Sequence, residues 1–119
     1  HPLRQGWLGD ETDMKRWIRG DGHIHLCGHI HEGESAEGWA GGGRGHVEII
    51  AGAAHAPEAE RIFGHGYNVS AVYPGDDGQL ALHVWPRKWS EKNKDFRADA
   101  DNTLRGKAYA RHRLDLKNP

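Results

Sequence analysis

Apolar residues recur at helical spacing near the start of the chain. Asp10 or Thr12 can cap the beginning of this segment, and Gly20 and Gly22 are suited to its end. The spacing i, i+3, i+4 places three apolar side chains on one helix face, and they are Met14, Trp17 and Ile18. The pattern predicts a short helix over residues 10–20.

Two short apolar runs follow the predicted helix. HIHLC (23–27) and HVEIIAGAA (46–54) have the length and composition of buried strands. The segment between them, GHIHEGESAEGWAGGGRG (28–45), is rich in glycine and has no hydrophobic period. We therefore expect strand, loop and strand in that order.

Strict alternation of apolar and polar residues is clearest in YNVSAVYPGDDGQLALHVW (67–85). The two alternating runs flank PGDDG, a sequence with turn chemistry, so a β-hairpin is predicted. The chain is charged and weakly patterned beyond this segment, with a short helix expected around 101–112. Trp85, Trp89 and Phe96 are expected to pack the first part of this region onto the sheet.

Composition and charge narrow the class of protein. The chain has 119 residues, enough for one small domain. A formal net charge of −1 gives no indication of nucleic-acid binding or of an anionic membrane surface. No apolar run is long enough to span a bilayer. The single cysteine, Cys27, and a beginning that does not look like an export signal favour a cytoplasmic setting.

A histidine motif occurs twice within ten residues, in GHIHLCGHIH (22–31). The second copy, Gly28-His29-Ile30-His31, follows an apolar strand and opens the glycine-rich segment, where a bend can direct two imidazoles at neighbouring metal ions. The first copy lies within the predicted strand. His23 and His25 are therefore expected to be polar strand residues, or hydrogen-bonding partners of the metal ligands.

The order of these segments resembles a known family. HPL (1–3), a helix, HLCGHIHEG (25–33), IIAGAA (49–54) and GYNVSAVY (66–73) follow one another as in the C-terminal half of calcineurin-like metallophosphoesterases. The resemblance covers roughly residues 1–90. It implies an α/β fold, the C-terminal half of a four-layer α/β/β/α sandwich, mostly β-strands with one or two short helices. Residues 91–119 would form a charged C-terminal extension.

The resemblance also implies a site and a reaction. His29 would bind one divalent metal and His31 the other, with His1 as a third candidate ligand. Imidazole and carboxylate ligands suit Mn, Zn, Fe or Ni, and a pair of such ions hydrolyses phosphoesters. The family's Asp-x-His, Gly-Asp and Gly-Asn-His motifs have no counterpart in matching places. We therefore expect the chain to need an N-terminal half, from the same gene or a separate chain, and to be inactive alone.

Two other interpretations remain open from the sequence. One is a non-catalytic phosphoesterase-like module for binding or assembly, which the missing motifs favour. The other is a mononuclear zinc site that combines His29 and His31 with a third histidine, His46, His55 or His65. Cys27 is expected to be a small buried apolar residue, because no activating context is visible.

Overall fold

The computed structural model describes residues 9–28, 34–40, 44–52, 65–76 and 78–114. Two β-sheets and one α-helix make up this part of the chain. Their order along the sequence is α1 (Glu11–Asp21), β1 (Ile24–Cys27), β2 (Glu34–Ala40), β3 (Arg44–Ile50), β4 (Gly66–Pro74), β5 (Leu80–Ser90), β6 (Asp95–Ala98) and β7 (Ala110–Leu114), with a single 3₁₀ turn at Ala100–Asn102 before β7.

The predicted N-terminal helix is confirmed as α1. Its first turn carries the acidic residues Glu11 and Asp13, which favour the positive end of the helix dipole. Of the two predicted capping residues, Asp10 occupies the N-cap position, although its side chain makes no capping hydrogen bond, and Thr12 lies inside the helix. The helix ends at Asp21, and its C-cap is Gly22, whose backbone N–H donates to the Ile18 carbonyl oxygen at 2.9 Å.

The first sheet has the strand order β1-β3-β2. β1 pairs with β3 in parallel, and β2 pairs with β3 in antiparallel orientation. The strands expected over 23–27 and 46–54 are confirmed as β1 and β3, although β3 begins at Arg44 and ends at Ile50. The loop expected over 28–45 is wrong at Glu34–Ala40, which forms β2. Pairing with the neighbouring strand, rather than any pattern of its own, makes this segment extended.

The second sheet is antiparallel and contains the predicted hairpin, β4–β5. β6 and β7 both pair with the other side of β5, β7 along its first half and β6 along its second half. The helix expected around 101–112 is wrong, because this region contains the 3₁₀ turn and then β7. The expected aromatic packing is present where the rings of Trp89 and Phe96 meet edge to face at 5.1 Å.

The two sheets share a hydrophobic core. It combines Val47 and Ile49 of β3 with Leu82 and Val84 of β5 and with Leu114 of β7, all nearly inaccessible to solvent. Side chains of a strand alternate between its two faces, so β3 and β5 turn one face each towards this core. The described part of the chain is thus mostly β-structure with one short α-helix, as expected.

The helix α1 contacts β2 and β3. Because one face of β3 already packs against the second sheet, we infer that the helix lies on the opposite face. None of the helices described is long and apolar enough to cross a lipid bilayer.

Candidate metal-binding site

The three histidines predicted as metal ligands, His1, His29 and His31, lie outside the described residues. What the structure does establish is the position of the chain on both sides of residues 29–33. Gly28 follows directly on the end of β1, and Glu34 begins β2.

The end of β1 and the beginning of β2 both lie beside Ile50, the last residue of β3. Ile50 pairs with Cys27 of β1 on one side and with Glu34 of β2 on the other. Just beyond the strand, the Ala51 N–H donates to the Cys27 carbonyl oxygen at 2.9 Å. Gly28, which leads into the two histidines, and Glu34, where the described chain resumes, therefore both lie near the carboxyl end of β3.

The second sheet reaches the same place through Asn68. Its side-chain amide donates to the Ile50 carbonyl oxygen at 3.0 Å. Asn68 belongs to the Gly-Tyr-Asn segment that opens the hairpin, so this hydrogen bond joins β4 to the end of β3. Gly28, Ile50 and Asn68 belong to three segments that are distant in sequence. These segments meet at the carboxyl ends of β1 and β3.

A cluster of potential metal ligands lies within β1 and β3, close to the carboxyl ends of these two strands. His25 and Cys27 are two residues apart on β1 and share a face, and Glu48 is the register partner of His25. The His25 Nδ1 atom lies 3.1 Å from Glu48 Oε1. The Cys27 Sγ atom lies 4.0 Å from the same oxygen. One ligand atom from each residue lies within 4.8 Å of the other two.

This cluster is largely shielded from solvent. The Glu48 side chain is 9% exposed and that of His25 15%. A carboxylate removed from water is unfavourable unless it has hydrogen-bond donors or a cation beside it, and the His25 imidazole meets that need. The predicted role of His25 as a polar strand residue agrees with its place in β1.

Sequence reasoning did not identify Glu48, and it assigned no chemistry to Cys27. Cys27, the single cysteine of the chain, is partly buried. The available signal was a carboxylate within the apolar run VEII, together with His-x-Cys on a neighbouring strand. An acidic residue in a central strand requires a partner, and residues i and i+2 of an adjacent strand can supply one.

Of the histidines proposed as a third ligand to a mononuclear zinc ion, the structure describes two. His46 is buried in β3, two residues before Glu48 and on the same face. His65 precedes β4, with its ring 6.4 Å from that of Trp89. His55 lies outside the described residues, so this combination with His29 and His31 stays a prediction.

Comparisons of the chain with protein-family models, with curated proteins and with solved structures found no match.

Proposed function

We propose that this chain supplies His29 and His31 to the dinuclear metal centre of a calcineurin-like metallophosphoesterase. His1 is a third candidate ligand, and the remaining ligands come from an N-terminal half. The observation that carries the proposal is the meeting of three family-like segments at the end of β3. Gly28 leads into the histidines, Ile50 lies in the IIAGAA segment, and Asn68 lies in the Gly-Tyr-Asn segment.

The start of the Gly-His-x-His segment at the carboxyl end of a parallel strand supports the proposal. In sheets with parallel strands, ligands generally bind beyond the carboxyl ends of those strands, where the chain leaves the sheet. β1 and β3 are parallel and end side by side at Cys27 and Ile50. The Gly-His-x-His segment begins there, which is where a ligand site is expected.

The donor chemistry of the segment fits the proposed ions. Neutral imidazole nitrogen is a good ligand for Zn, Mn, Fe or Ni. When bound, the two ions would polarise a phosphoester and lower the pKa of a bound water. The chain itself would orient the two rings, because its backbone is anchored at Gly28 on one side and at Glu34 on the other. The proposed substrate class is a phosphoester.

The exposed edge of the first sheet supports an incomplete domain. Within the described ranges β1 pairs with β3 alone, so its other side is an edge. Leu26 of β1 is 70% exposed, although its register partner Ile49 is 3% exposed. A strand of an N-terminal half placed beside β1 would cover this leucine and complete the sheet.

The test compares this chain alone with the chain joined to the segment encoded immediately upstream. Hydrolysis of bis(p-nitrophenyl) phosphate and p-nitrophenyl phosphate is measured with Mn²⁺. We expect activity in the joined protein and none in the isolated chain. His29→Ala and His31→Ala should each lower kcat/KM by at least about 100-fold, since removing even an outer partner of a metal ligand has effects of up to that size. His112→Ala, on β7, is the matched control and should leave kcat/KM unchanged.

Activity at full rate in the isolated chain would contradict the requirement for a second half. Activity in the joined protein that survives both histidine substitutions would contradict their role as ligands. A joined protein that binds metal but hydrolyses neither ester would instead favour the non-catalytic module.

A further inference from the structure

We infer that His25, Cys27 and Glu48 form a separate site for one zinc-like ion, on the face of the first sheet opposite the hydrophobic core. The inference does not depend on the proposed function, because it uses none of the histidines at positions 1, 29 and 31. It begins from three different donor atoms, an imidazole nitrogen, a sulfur and a carboxylate oxygen, gathered across two adjacent strands.

The distances suit a tetrahedral ion. Zinc binds nitrogen and oxygen at about 2.0–2.2 Å and sulfur at about 2.3 Å, so neighbouring ligand atoms on a tetrahedron lie roughly 3.3–3.7 Å apart. The nitrogen-to-oxygen distance here is 3.1 Å and the sulfur-to-oxygen distance is 4.0 Å. Small changes in side-chain torsion angles would bring all three atoms onto one ion, with a water molecule as the fourth ligand.

The backbone fixes this arrangement before any ion binds. His25 and Glu48 are register partners in a parallel pair, and Cys27 lies one strand repeat further along the same face. β3 is the central strand of its sheet, held by β1 on one side and β2 on the other. Since the carrying strands are already paired, binding an ion requires little further ordering of the chain.

The donor set selects the class of metal. A thiolate with an imidazole favours zinc and its chemical relatives over Mg²⁺ or Ca²⁺, which prefer oxygen ligands alone. The cation would also neutralise the shielded Glu48 carboxylate, which is 9% exposed. An ion at this position would join β1 to β3 near Cys27 and Ile50, where the two strands end, and so stabilise their pairing.

Cobalt(II) is the probe, because it occupies zinc sites and its complex with a thiolate has a charge-transfer absorption that imidazole and carboxylate ligands do not give. The purified full chain is titrated with Co²⁺ under reducing conditions, and the absorption is followed. We expect one equivalent to bind with a charge-transfer band, and Zn²⁺ to displace it. Cys27→Ser should abolish the band. Glu48→Gln and His25→Ala should each weaken Co²⁺ binding at least tenfold, while His112→Ala should not.

Circular dichroism checks that each variant is folded. If Cys27→Ser does not fold, Glu48→Gln provides the test instead, because its side chain has nearly the same shape as the native one. Absence of the band in the native chain would overturn the inference and leave His25 and Glu48 as a hydrogen-bonded pair. A band that persists in both Glu48→Gln and His25→Ala would also overturn it. The band should survive His29→Ala combined with His31→Ala. The titration therefore tests the His25, Cys27 and Glu48 site independently of the proposed dinuclear centre.

Discussion

The side-chain amide of Asn68 donates a hydrogen bond to the backbone carbonyl of Ile50 at 3.0 Å, and so connects the two sheets beside the proposed active site. Ile50 is 1% exposed, so water can hardly replace the amide if it is lost. The free energy of a missing hydrogen bond at a shielded acceptor is larger than that of an exposed one.

Asn68→Ala should therefore lower the free energy of unfolding by about 1–3 kcal/mol, as measured by urea denaturation. Asn68→Asp should have a similar effect, because a carboxylate cannot donate to a carbonyl. Asn93→Ala is the matched control: its amide bonds to the Ser90 hydroxyl in an exposed turn, and the expected change is within about 0.5 kcal/mol. Equal effects at the two asparagines would show that the link between the sheets contributes little.

Leu82 tests the shared core. It is 1% exposed and packs with Val47 and Ile49 of the opposite sheet. Leu82→Ala should lower the free energy of unfolding by about 2–5 kcal/mol, since it loses buried apolar area and leaves a cavity. Leu104→Ala makes the same chemical change at a side chain that is 46% exposed, and its effect should be within about 0.5 kcal/mol. If both variants unfold alike, the two sheets do not share a core.

Gly66 and Gly20 should respond to alanine with opposite signs. A Cβ atom at Gly66 would lie 2.9 Å from the Arg87 carbonyl oxygen, so β4 and β5 would have to move apart. Gly66→Ala should lower the free energy of unfolding by about 1–3 kcal/mol. Gly20 lies within α1 and a Cβ atom there meets nothing within 4 Å, so Gly20→Ala should raise it by about 0.4–1 kcal/mol. Thermal and urea unfolding of both variants would expose a wrong sign in either.

Leu26 tests the open edge of the first sheet. Its side chain is 70% exposed on β1, and exposed apolar edge strands promote pairing with other chains. Leu26→Lys should therefore shift self-association of the isolated chain to higher protein concentration in sedimentation velocity experiments, with unfolding changed by no more than about 0.5 kcal/mol. Leu104→Lys introduces the same charge at an exposed leucine between β6 and β7 of the second sheet. Identical sedimentation of the two variants would mean that association does not use β1.

Local patterns in the sequence were enough to predict α1, β1, β3 and the β4–β5 hairpin. Each of these has either a helical apolar face, a short apolar run, or alternation around a turn. β2 has none of these features, and its ESAEGWA sequence becomes extended because it pairs with β3 from Glu34↔Ile50 to Ala40↔Arg44. That is a tertiary effect, and local propensity does not contain it.

β7 also shows that local propensity does not determine secondary structure, because its residues favour a helix and yet form a strand. ARHRL contains Ala, Arg and Leu, which are good helix formers, yet it is a strand and not part of the helix expected around 101–112. Burial of Leu114 in the core and pairing of Ala110–Leu114 with β5 outweigh that preference. Propensity differences of a few tenths of a kcal/mol per residue are smaller than the gain from burying one leucine.

The candidate metal-binding residues could also be predicted only in part from the sequence. Position relative to a strand end was enough to choose Gly28-His29-Ile30-His31 over the first copy, a choice that stays a prediction because the second copy lies outside the described residues. The approach of Cys27 and His25 to Glu48 depends on the parallel register of β1 and β3. Register across 21 or 23 residues of separation is set by the whole sheet and cannot be read from either strand alone.

The arrangement of β6 and β7 end to end along one side of β5 has a practical consequence. Each is held by its own set of backbone hydrogen bonds, β6 through Arg87–Ser90 and β7 through Leu80–Val84. The connection from Asp99 to Tyr109 therefore carries no strand pairing that holds both at once. A protease site or an epitope tag inserted near Gly106, where φ is +72°, should be tolerated with both flanking strands still docked.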